Sequence, residues 1–410
     1  MPRSKEGFLW TANQTSEGLL TDAVLESSQT VKDHYDIVVI GAGFAARDRI
    51  GGRTWTAKGL GEEIEIGGTW LHRYGLHRNL KTSAGTMAPE KQFFRPAGGP
   101  VEEVRSLMPL PHDPLRGPAL RERYDGLSVR DRLERLRGVG LREKCPCEGH
   151  WVCGGASVVY IGVGGGRSMA GVSEKAGVYK LGNGGMTSLA RAILDEYRGD
   201  LLFGTVVTEI SHTAVGVAVK TLQGQLSAMA IVSTIPLNCL GGIQFNPPLS
   251  PIRQSAIVRG HINKGAKVHF KLRSTQPGWF YSAVGSRDSS FVSAFSDHNG
   301  TQMSSPSGTK HIVERIQKGI IPHADVEAYA TNDWMNDPYA KGAWACFGLD
   351  SACEYLEELQ NPHGCIVFAS ADWADGWRGF LDGAIERGQV AVRDIMDLME
   401  GSRGTPTARL

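Results

Sequence analysis

Glycines directly after an apolar run are the first residues in this 410-residue chain whose spacing suggests chemistry. The run Ile37–Ile40 is rich in β-branched residues and is short enough to form a buried strand. Gly41 and Gly43 follow at once, with Ala46 at the third position of a G-x-G-x-x-G/A pattern. In such a turn, backbone N–H groups and the start of a helix hold a pyrophosphate. The spacing predicts a nucleotide-binding loop.

A second motif follows within a few residues and reads Arg49-x-Gly51-Gly52-Arg53, closed by a threonine. The pattern R-x-G-G-R-x-x-[ST] resembles the second fingerprint of the flavin-containing monoamine oxidases. The resemblance implies that the glycines let the loop pass close to an FAD cofactor. It also implies that the arginines of this stretch, Arg47, Arg49 and Arg53, face the pyrophosphate of the cofactor.

Two further segments resemble cofactor-binding parts of the same family. Gly67, Gly68, Thr69 and Trp70 match its G-G-[ST]-[WY] turn, which passes beside the isoalloxazine ring. An ordinary Gly-Gly hairpin turn is the other interpretation of this stretch. In the family, the backbone of a strand valine binds adenine, and Val207 is the matching residue. A core strand valine would explain Val207 equally well.

Three side chains are predicted to act at the flavin ring. Lys267 lies in the alternating strand pattern of residues 260–272, where a lysine is usually solvated. In similar enzymes, a lysine at this point holds a water against flavin N5, and an ammonium group offsets negative charge that develops there. Trp344 and Phe380 match the two aromatic residues that enclose the amine. The resemblance therefore implies Lys267, Trp344 and Phe380 as the catalytic set.

The last signature extends over residues 365–388 and matches the strand, turn and helix that end the family's flavin domain. Asp372 matches the carboxylate that faces the ribityl or pyrophosphate region. Leu381 lies at the start of the helix whose N–H groups point at flavin N1 and O2. Ala343 stands where mammalian-type enzymes have a cysteine joined to the flavin, which implies that FAD is bound noncovalently.

The resemblance covers roughly residues 35–82 and 176–400 and is greatest to the fungal peroxisomal-type monoamine oxidases. It implies a mixed α/β (α+β) fold with an FAD-binding dinucleotide domain interleaved with a substrate domain. A dinucleotide fold needs a helix, a second strand and a ribose-binding acid between the two motifs. Here the motifs nearly touch, and Ala45 replaces the acid. The first βαβ unit is therefore predicted to be truncated.

Domain boundaries follow from the same matches and from local composition. Residues 1–33 are polar and without pattern, which predicts a flexible N-terminal arm. The segment 138–172 has no stable period and differs from the family; its cysteines fit no common zinc pattern, so no metal site is predicted. The predicted FAD-binding domain comprises residues 34–82, 176–240 and 355–400, the substrate domain 83–175 and 241–354, and the C-terminal tail 401–410.

Composition limits the partners and the cellular compartment. The net charge of +1, without a long charged block, gives no support for nucleic-acid binding. No apolar run approaches the roughly 20 residues of a membrane span. Seven cysteines, without a secretory signal before them, favour an intracellular protein with reduced thiols. The ending Ala408-Arg409-Leu410 resembles the S-K-L address and predicts a peroxisomal location, with the cytoplasm as the alternative.

The resemblance implies FAD-dependent oxidation of a primary amine by dioxygen, through an imine, to aldehyde, ammonia and hydrogen peroxide. A small amine and dioxygen are then the partners, and assembly into a homo-oligomer is left open. The apparent deletions support a different hypothesis, a catalytically impaired or non-catalytic remnant of the family. A polyamine or L-amino-acid oxidase on the same fold is a third.

Overall fold

The computed structural model of this chain describes most of its two halves on either side of a central gap. Three isolated positions, 119, 122 and 127, are described as well. The described stretches are residues 2–41, 48–71, 82–84, 93–94, 102–103, 179–181, 184–261, 266–274, 280–282, 293–297, 300–305, 312–319, 323–375 and 378–403.

These stretches form strands and helices. The strands are β1 (Phe8–Thr11), β2 (Gln14–Glu17), β3 (His34–Ile40), β4 (Thr56–Lys58), β5 (Glu63–Glu65), β6 (Trp70–Leu71), β7 (Thr82–Ala84), β8 (Phe93–Phe94), β9 (Glu102–Glu103), β10 (Tyr179–Leu181), β11 (Val207–Thr213), β12 (Gly216–Thr221), β13 (Gln225–Ser233), β14 (Gln244–Asn246), β15 (Ala266–Leu272), β16 (Phe280–Ser282), β17 (Ser293–Asp297), β18 (Gly300–Ser305), β19 (Val326–Thr331) and β20 (Ile366–Phe368). The helices are α1 (Gly185–Leu194), α2 (Leu237–Leu240), α3 (Pro251–Arg259), α4 (Ile312–Gly319), α5 (Ser351–Gln360) and α6 (Leu381–Arg403), with a 3-10 turn at Ala371–Trp373.

Strand β13 lies at the centre of the sheet that carries the glycine motif. On one side it pairs in parallel with β3, where Ile40 lies opposite Ser233. On the other side it pairs in parallel with β20, where Phe368 lies opposite the same serine. Strands β12 and β11 extend the sheet by antiparallel pairing, and β14 joins β11 in parallel. The three parallel strands therefore end together, at the sheet edge where α/β folds bind ligands.

A second sheet of seven strands has the order β16-β17-β18-β15-β19-β1-β2. Its centre is the antiparallel pairing of β15 with β18 and β19, and Val268 and Phe270 of β15 are buried. Helix α4 packs its buried residue Ile316 into the same apolar cluster. This sheet presents Lys267 from β15, and the two sheets together give the mixed α/β fold that the sequence predicts.

The N-terminal residues are part of the folded core, so the predicted flexible arm at 1–33 is wrong. Strand β1 pairs with β19 along its whole length, from Phe8 opposite Thr331 to Thr11 opposite Ala328. Leu19 is 1% exposed. The polar surroundings of this apolar strand concealed it, because its pairing strand lies more than 300 residues further along the chain.

The first βαβ unit is truncated, as predicted. Only six residues separate Gly41 from Asp48, whereas a crossover between parallel strands needs a dozen or more. Asp48 already accepts a hydrogen bond from Ser4 Oγ at 2.8 Å, in the N-terminal segment. Among the described residues no strand pairs with the outer edge of β3, and its Ile37 and Val39 are 39% and 47% exposed.

Outside the gaps just given, no helix combines the length and apolar character that crossing a bilayer requires. The longest, α6, carries charged residues along its whole length. It packs against β13 and β20 through Ala391 and Ile395, both buried. The amphipathic pattern is that of a helix covering one face of a sheet.

Candidate active site

Gly41 leaves β3 in a conformation that other residues rarely adopt. Its φ is +99°, and a Cβ atom would lie 2.5 Å from Oγ1 of Thr234, which follows strand β13. The backbones after β3 and β13 can approach each other only because this position is glycine. Of the other residues predicted for this loop, Gly43 and Arg47 lie outside the described residues.

The two glycine-pair turns pack against each other. The turn from Gly51 is closed by the Thr54 N–H, which donates to the Gly51 carbonyl at 2.8 Å. The Gly68 N–H donates to the Arg53 carbonyl at 3.0 Å. A Cβ atom on Gly67 would overlap with that same carbonyl. The glycines, including Gly52 at φ +56°, therefore bring the two predicted cofactor loops into direct contact.

Lys267 reaches from β15 into the second of these turns. Its Nζ donates to the Gly67 carbonyl and to Thr69 Oγ1, and lies 3.3 Å from the Glu65 carbonyl. The lysine backbone is fixed in turn, because Thr331 Oγ1 donates to its carbonyl at 2.8 Å. The structure thus joins Lys267 to the Gly67–Thr69 turn, which the sequence predicted from a separate motif. Trp70 begins β6 just beyond them, and the description there covers its backbone alone.

Two residues that the sequence analysis did not select contact the same segment. His269 Nε2 lies 2.8 Å from the Glu65 carbonyl, and Trp334 Nε1 donates to the Ile66 carbonyl at 3.2 Å. Both are buried. His269 follows Lys267 by two residues, so both side chains leave the same face of β15. The alternation of side chains along β15 was therefore the sequence signal that could have identified His269.

Arg53 and Asp372 form an ion pair between the Gly51–Arg53 turn and the 3-10 turn at Ala371–Trp373. Arg53 Nη2 donates to Asp372 Oδ1 at 2.7 Å, and the Leu237 N–H donates to the other carboxylate oxygen at 2.8 Å. Burial raises the pKa of Asp372, but the Arg53 guanidinium, the nearby His261 and the hydrogen bonds from Arg53 and Leu237 together outweigh it and hold that pKa below its usual value. That Asp372 faces the cofactor stays a prediction. In this structure the carboxylate is fully buried and positions Arg53.

Arg49 also has a structural role, and its predicted position at the pyrophosphate stays a prediction. Its side chain is fully buried, and its Nε donates to Glu6 Oε2 at 3.0 Å. Its Nη1 donates to the Gly52 carbonyl at 2.8 Å, and its guanidinium lies 3.9 Å from the centre of the Trp55 ring. These contacts fix the loop that carries Arg53. They could not be predicted because Glu6 lies in the segment predicted to be flexible.

The structure brings the two predicted aromatic residues together. Gly379, directly before Phe380, backs onto Trp344, since a Cβ atom there would lie 3.5 Å from Trp344 Cδ1. Trp344 is 45% exposed. Arg53 Nη1 donates to the carbonyl of Ala343, directly before Trp344, at 2.8 Å. One arginine therefore connects the aromatic pair to Asp372.

The two remaining predicted residues lie in defined elements, and their predicted roles stay predictions. Leu381 begins α6 and packs against Met186 and Leu189 of α1. Val207 begins β11, pairs with Thr221 and packs against the core of its sheet.

A polar junction next to the Arg53–Asp372 pair went unpredicted. Asn238 Oδ1 accepts the backbone N–H of His261 at 2.8 Å, and Asn238 Nδ2 donates to the Lys341 carbonyl at 2.8 Å. His261 is 6% exposed, and burial lowers its pKa to about 4. No pattern in the sequence relates these residues, which come from three separate segments.

Within the part of the chain that the structure describes, no three histidine, cysteine or carboxylate side chains are placed to hold a metal ion. Cys145, Cys147 and Cys153, which the sequence analysis considered for zinc, lie outside it.

Comparison with known proteins identifies the family. Residues 44–139 and 167–396 match the model of the flavin-containing amine oxidoreductases. The chain belongs to this family. The match omits 140–166, inside the segment that differs from the family in sequence. Members of the family carry FAD, so the predicted cofactor is confirmed.

Its relatives include bacterial and mammalian proteins. Pseudooxynicotine dehydrogenase of Pseudomonas sp is 28% identical over 90% of this chain and 87% of its own length. Amine oxidase [flavin-containing] B of Canis lupus familiaris is 22% identical over 89% of this chain and 86% of its own. The likeness to a bacterial dehydrogenase does not support the predicted placement closest to fungal monoamine oxidases.

Solved structures share the fold. Putrescine oxidase bound to putrescine superposes with a TM-score of 0.65 at 19% identity, covering 89% of this chain and 99% of that one. Cyclohexylamine oxidase from Brevibacterium oxydans IH-35A gives 0.66 at 19% identity, with the same coverage of this chain.

The two glycine-pair turns with Lys267 and Trp344, here called the ring end of the cofactor site, fit FAD. Arg53 is the one cation of the Gly51–Arg53 turn, and its side chain is 21% exposed. Lys267 contacts the second turn, and Trp344 follows the residue whose carbonyl Arg53 binds. His261 adds a buried imidazole with neither ring nitrogen bonded, which a bound polar group would satisfy. Arg53, the glycine turns and the start of α6 are therefore the groups that would hold the cofactor.

Proposed function

We propose that this protein uses noncovalently bound FAD to oxidise a primary amine with dioxygen. The products are an imine, which water converts to aldehyde and ammonia, and hydrogen peroxide. The observation that supports this most is the convergence of Lys267, the Gly67–Thr69 turn and the Trp344–Phe380 pair around one pair of loops. These are the groups that the resemblance assigns to the flavin ring.

Each residue has a separate task in this proposal. Trp344 and Phe380 exclude water from the amine and favour its neutral form, whose lone pair is available. Bound FAD would supply the two-electron oxidant for the amine, with dioxygen as the final electron acceptor. The Lys267 ammonium, held by the Gly67–Thr69 turn, stabilises negative charge beside the ring. No general base is required, because the neutral amine loses its hydrogen as a hydride.

Noncovalent attachment follows from the residue before Trp344. Ala343 has no thiol to join to the flavin, and its carbonyl is already bound by Arg53 at 2.8 Å. We expect denatured protein to release all of its yellow colour into the supernatant after precipitation by acid. Flavin that stays with the pellet would contradict this part of the proposal.

A catalytically impaired remnant is the second candidate, and the truncated βαβ unit favours it. Ala45 replaces the ribose-binding acid, which removes a charge-assisted hydrogen bond of about 1.5–3 kcal/mol. The outer side of β3 is exposed where the family has a further strand. Both features weaken the adenosine end of the cofactor site and leave the ring end unchanged.

Two narrower alternatives concern the substrate and the electron acceptor. One solved structure of this fold is bound to putrescine, which keeps polyamines among the candidates. An L-amino-acid oxidase would need a cation for the substrate carboxylate. Two bacterial relatives are named dehydrogenases, so an acceptor other than dioxygen also belongs in the test.

The test is reconstitution followed by a substrate panel. Purified protein is incubated with excess FAD, desalted, and its flavin-to-protein ratio is taken from the absorbance spectrum. Primary amines, polyamines and L-amino acids are then assayed for peroxide in air and for reduction of a dye without oxygen. Near-stoichiometric flavin with peroxide from a primary amine supports the proposal. Colourless protein favours the remnant, and dye reduction without peroxide favours a dehydrogenase.

A peroxisomal location is part of the same proposal, because an enzyme that releases peroxide is best housed with catalase. It is supported by the Ala408-Arg409-Leu410 ending alone. A fluorescent protein carrying the last ten residues should enter peroxisomes, and the same fusion without the final leucine should remain in the cytoplasm.

A further inference from the structure

His261 is a buried side chain for which the proposed reaction gives no task. It follows α3 and is 6% exposed. Neither Nδ1 nor Nε2 has a hydrogen-bonding partner among the described residues. An imidazole buried in this way costs free energy, because it has lost its bonds to water without replacing them. Such a group in a native site is explained by something that binds it.

The backbone of His261 is held firmly in place. Its N–H donates to Asn238 Oδ1 at 2.8 Å, and its carbonyl accepts from Asn238 Nδ2 at 3.4 Å. The preceding Gly260 has a φ of +62°, and a Cβ atom there would lie 2.6 Å from Asn238 Oδ1. The position of the imidazole is thus set by the fold rather than by its own side-chain contacts.

The same framework places the imidazole beside the cofactor loops. Leu237, the neighbour of Asn238, donates its N–H to Asp372, which binds Arg53. Both of those charged groups lie close enough to His261 to influence its pKa. The unpaired imidazole therefore borders the junction at which the first glycine-pair turn meets the end of the parallel sheet.

The chemistry of a neutral imidazole narrows the group that it can bind. One ring nitrogen donates a hydrogen bond and the other accepts one. Burial lowers the pKa of His261 to about 4, so the ring is neutral at physiological pH. A phosphate oxygen only accepts and would leave one nitrogen unsatisfied. A hydroxyl both donates and accepts, and a chain of hydroxyls can satisfy both nitrogens.

We propose that His261 is a cofactor-binding residue whose imidazole hydrogen-bonds hydroxyl groups of the ribityl chain of FAD. The inference rests on the FAD binding included in the proposed function and not on the identity of the amine. FAD carries hydroxyls on its ribityl chain and on its adenosine ribose. Arg53 connects this junction to the residue before Trp344, at the ring end, which favours the ribityl chain.

The test compares cofactor affinity with the stability of the apoprotein. In His261→Phe, we expect the dissociation constant for FAD, measured by flavin fluorescence, to rise about tenfold or more. The melting temperature of the apoprotein should stay the same or rise, because an unsatisfied polar group has been removed. His261→Gln keeps one donor and one acceptor and should recover most of the affinity.

A matched control is available in His212, the other histidine with a buried, unbonded ring nitrogen in the described part of the chain. It lies in β11 and stacks on His363 with ring centres 5.1 Å apart. His212→Phe should leave the affinity for FAD unchanged. FMN, which has the ribityl chain and lacks the adenosine, should lose affinity for the His261→Phe protein by the same factor.

Several results would overturn the inference. Unchanged FAD affinity in His261→Phe would show that the imidazole does not contact the cofactor. A loss for FAD without one for FMN would place the contact at the adenosine. A fall in apoprotein stability in both His261→Phe and His261→Leu, or failure of both to fold, would make the residue structural. Wild-type protein that binds FAD and oxidises no amine would refute the proposed reaction alone, whereas one that binds no FAD would refute both.

Discussion

The ring end of the cofactor site and the outer side of β3 have opposite characters. At the ring end, Arg53, Asp372 and Lys267 each contact a segment distant in the chain, and Asp372 is fully buried. Along the outer side of β3, Ile37 and Val39 are exposed, and no described strand pairs with it. The ring end, whose residues bind one another across distant segments, is called the closed region below. The exposed side of β3 is called the open region.

The difference shows how the fold tolerates the loss of a βαβ unit. Strand β3 keeps its complete parallel ladder with β13, so its inner edge and the buried Ile40 are unaffected. Asp48 and Arg49 are held by the N-terminal segment, which fixes the second fingerprint without the missing elements. The positions of the ring-end residues are thus independent of the truncation. Cofactor affinity, rather than the architecture of the reaction site, is where the loss should appear.

The largest effect should come from breaking the closed region at Arg53. In Arg53→Met, the Asp372 carboxylate stays buried without its cation, and we expect the free energy of unfolding to fall by about 3–5 kcal/mol. Urea denaturation of the apoprotein measures this. The control is Arg273→Met, whose ion pair with Asp325 is well exposed and should contribute less than about 1 kcal/mol. Equal losses in the two variants would mean that the Arg53–Asp372 pair does not support the site.

Lys267→Met separates chemistry from stability within the same region. The ammonium that would offset charge beside the flavin is lost, and we expect kcat for amine oxidation to fall about 100- to 1000-fold. Lys271→Met is the matched control, because Lys271 lies on the same strand and pairs at 3.5 Å with the half-exposed Glu327. It should keep wild-type kcat. Stopped-flow reduction and reoxidation of the flavin show which half-reaction is slowed, and an unchanged kcat in Lys267→Met would refute the role.

The burial of His261 should make the free energy of unfolding depend on pH. Its folded pKa of about 4 lies below the ordinary value of 6.5, since burial disfavours the charged ring. The unfolded chain takes up the proton first, so this contribution is complete above pH 6.5 and is lost as the pH falls towards 4. The loss amounts to at most about 3 kcal/mol.

Unfolding of apoprotein at several pH values between 7 and 4 measures that contribution. His261→Phe should lack this part of the decline, whereas other titrating groups, including His363, decline equally in both proteins. The carboxyl group of the nearby Asp372 has a pKa below its usual value, which keeps it ionised over most of this range. Parallel curves for the two proteins would contradict the assignment.

Short local motifs were the basis of most site predictions. Arg53, Lys267, Trp344 and Phe380 lie in short motifs that match a family one residue at a time, and the structure brings them to one place. Contacts between segments that are distant in the chain do not appear as motifs in the sequence. The burial of Arg49 by Glu6 spans 43 residues, and Asp372 receives its second hydrogen bond from a backbone N–H 135 residues away. Neither depends on a side-chain pattern that spacing could show.

The N-terminal strand was missed for a related physical reason. A strand of four residues has too few positions to establish an alternation, and β1 is recognisable only through its pairing with β19. Its buried partners were unknown while the segment was considered alone. Predicted flexibility in such cases reflects the absence of local signal rather than the absence of tertiary contacts.

The open region should respond least to mutation. Val39→Thr on β3 removes exposed apolar surface, and we expect the free energy of unfolding to change by less than about 0.5 kcal/mol. Ile40→Ala, one residue further and 3% exposed, should cost about 2–5 kcal/mol. The unpaired backbone edge of β3, next to these exposed apolar side chains, is also a template for unwanted pairing. Light scattering at rising concentration should therefore show less self-association in Val39→Thr than in wild type. A large loss of stability in Val39→Thr would instead mean that another part of the chain covers β3, and the contrast between the two regions would disappear.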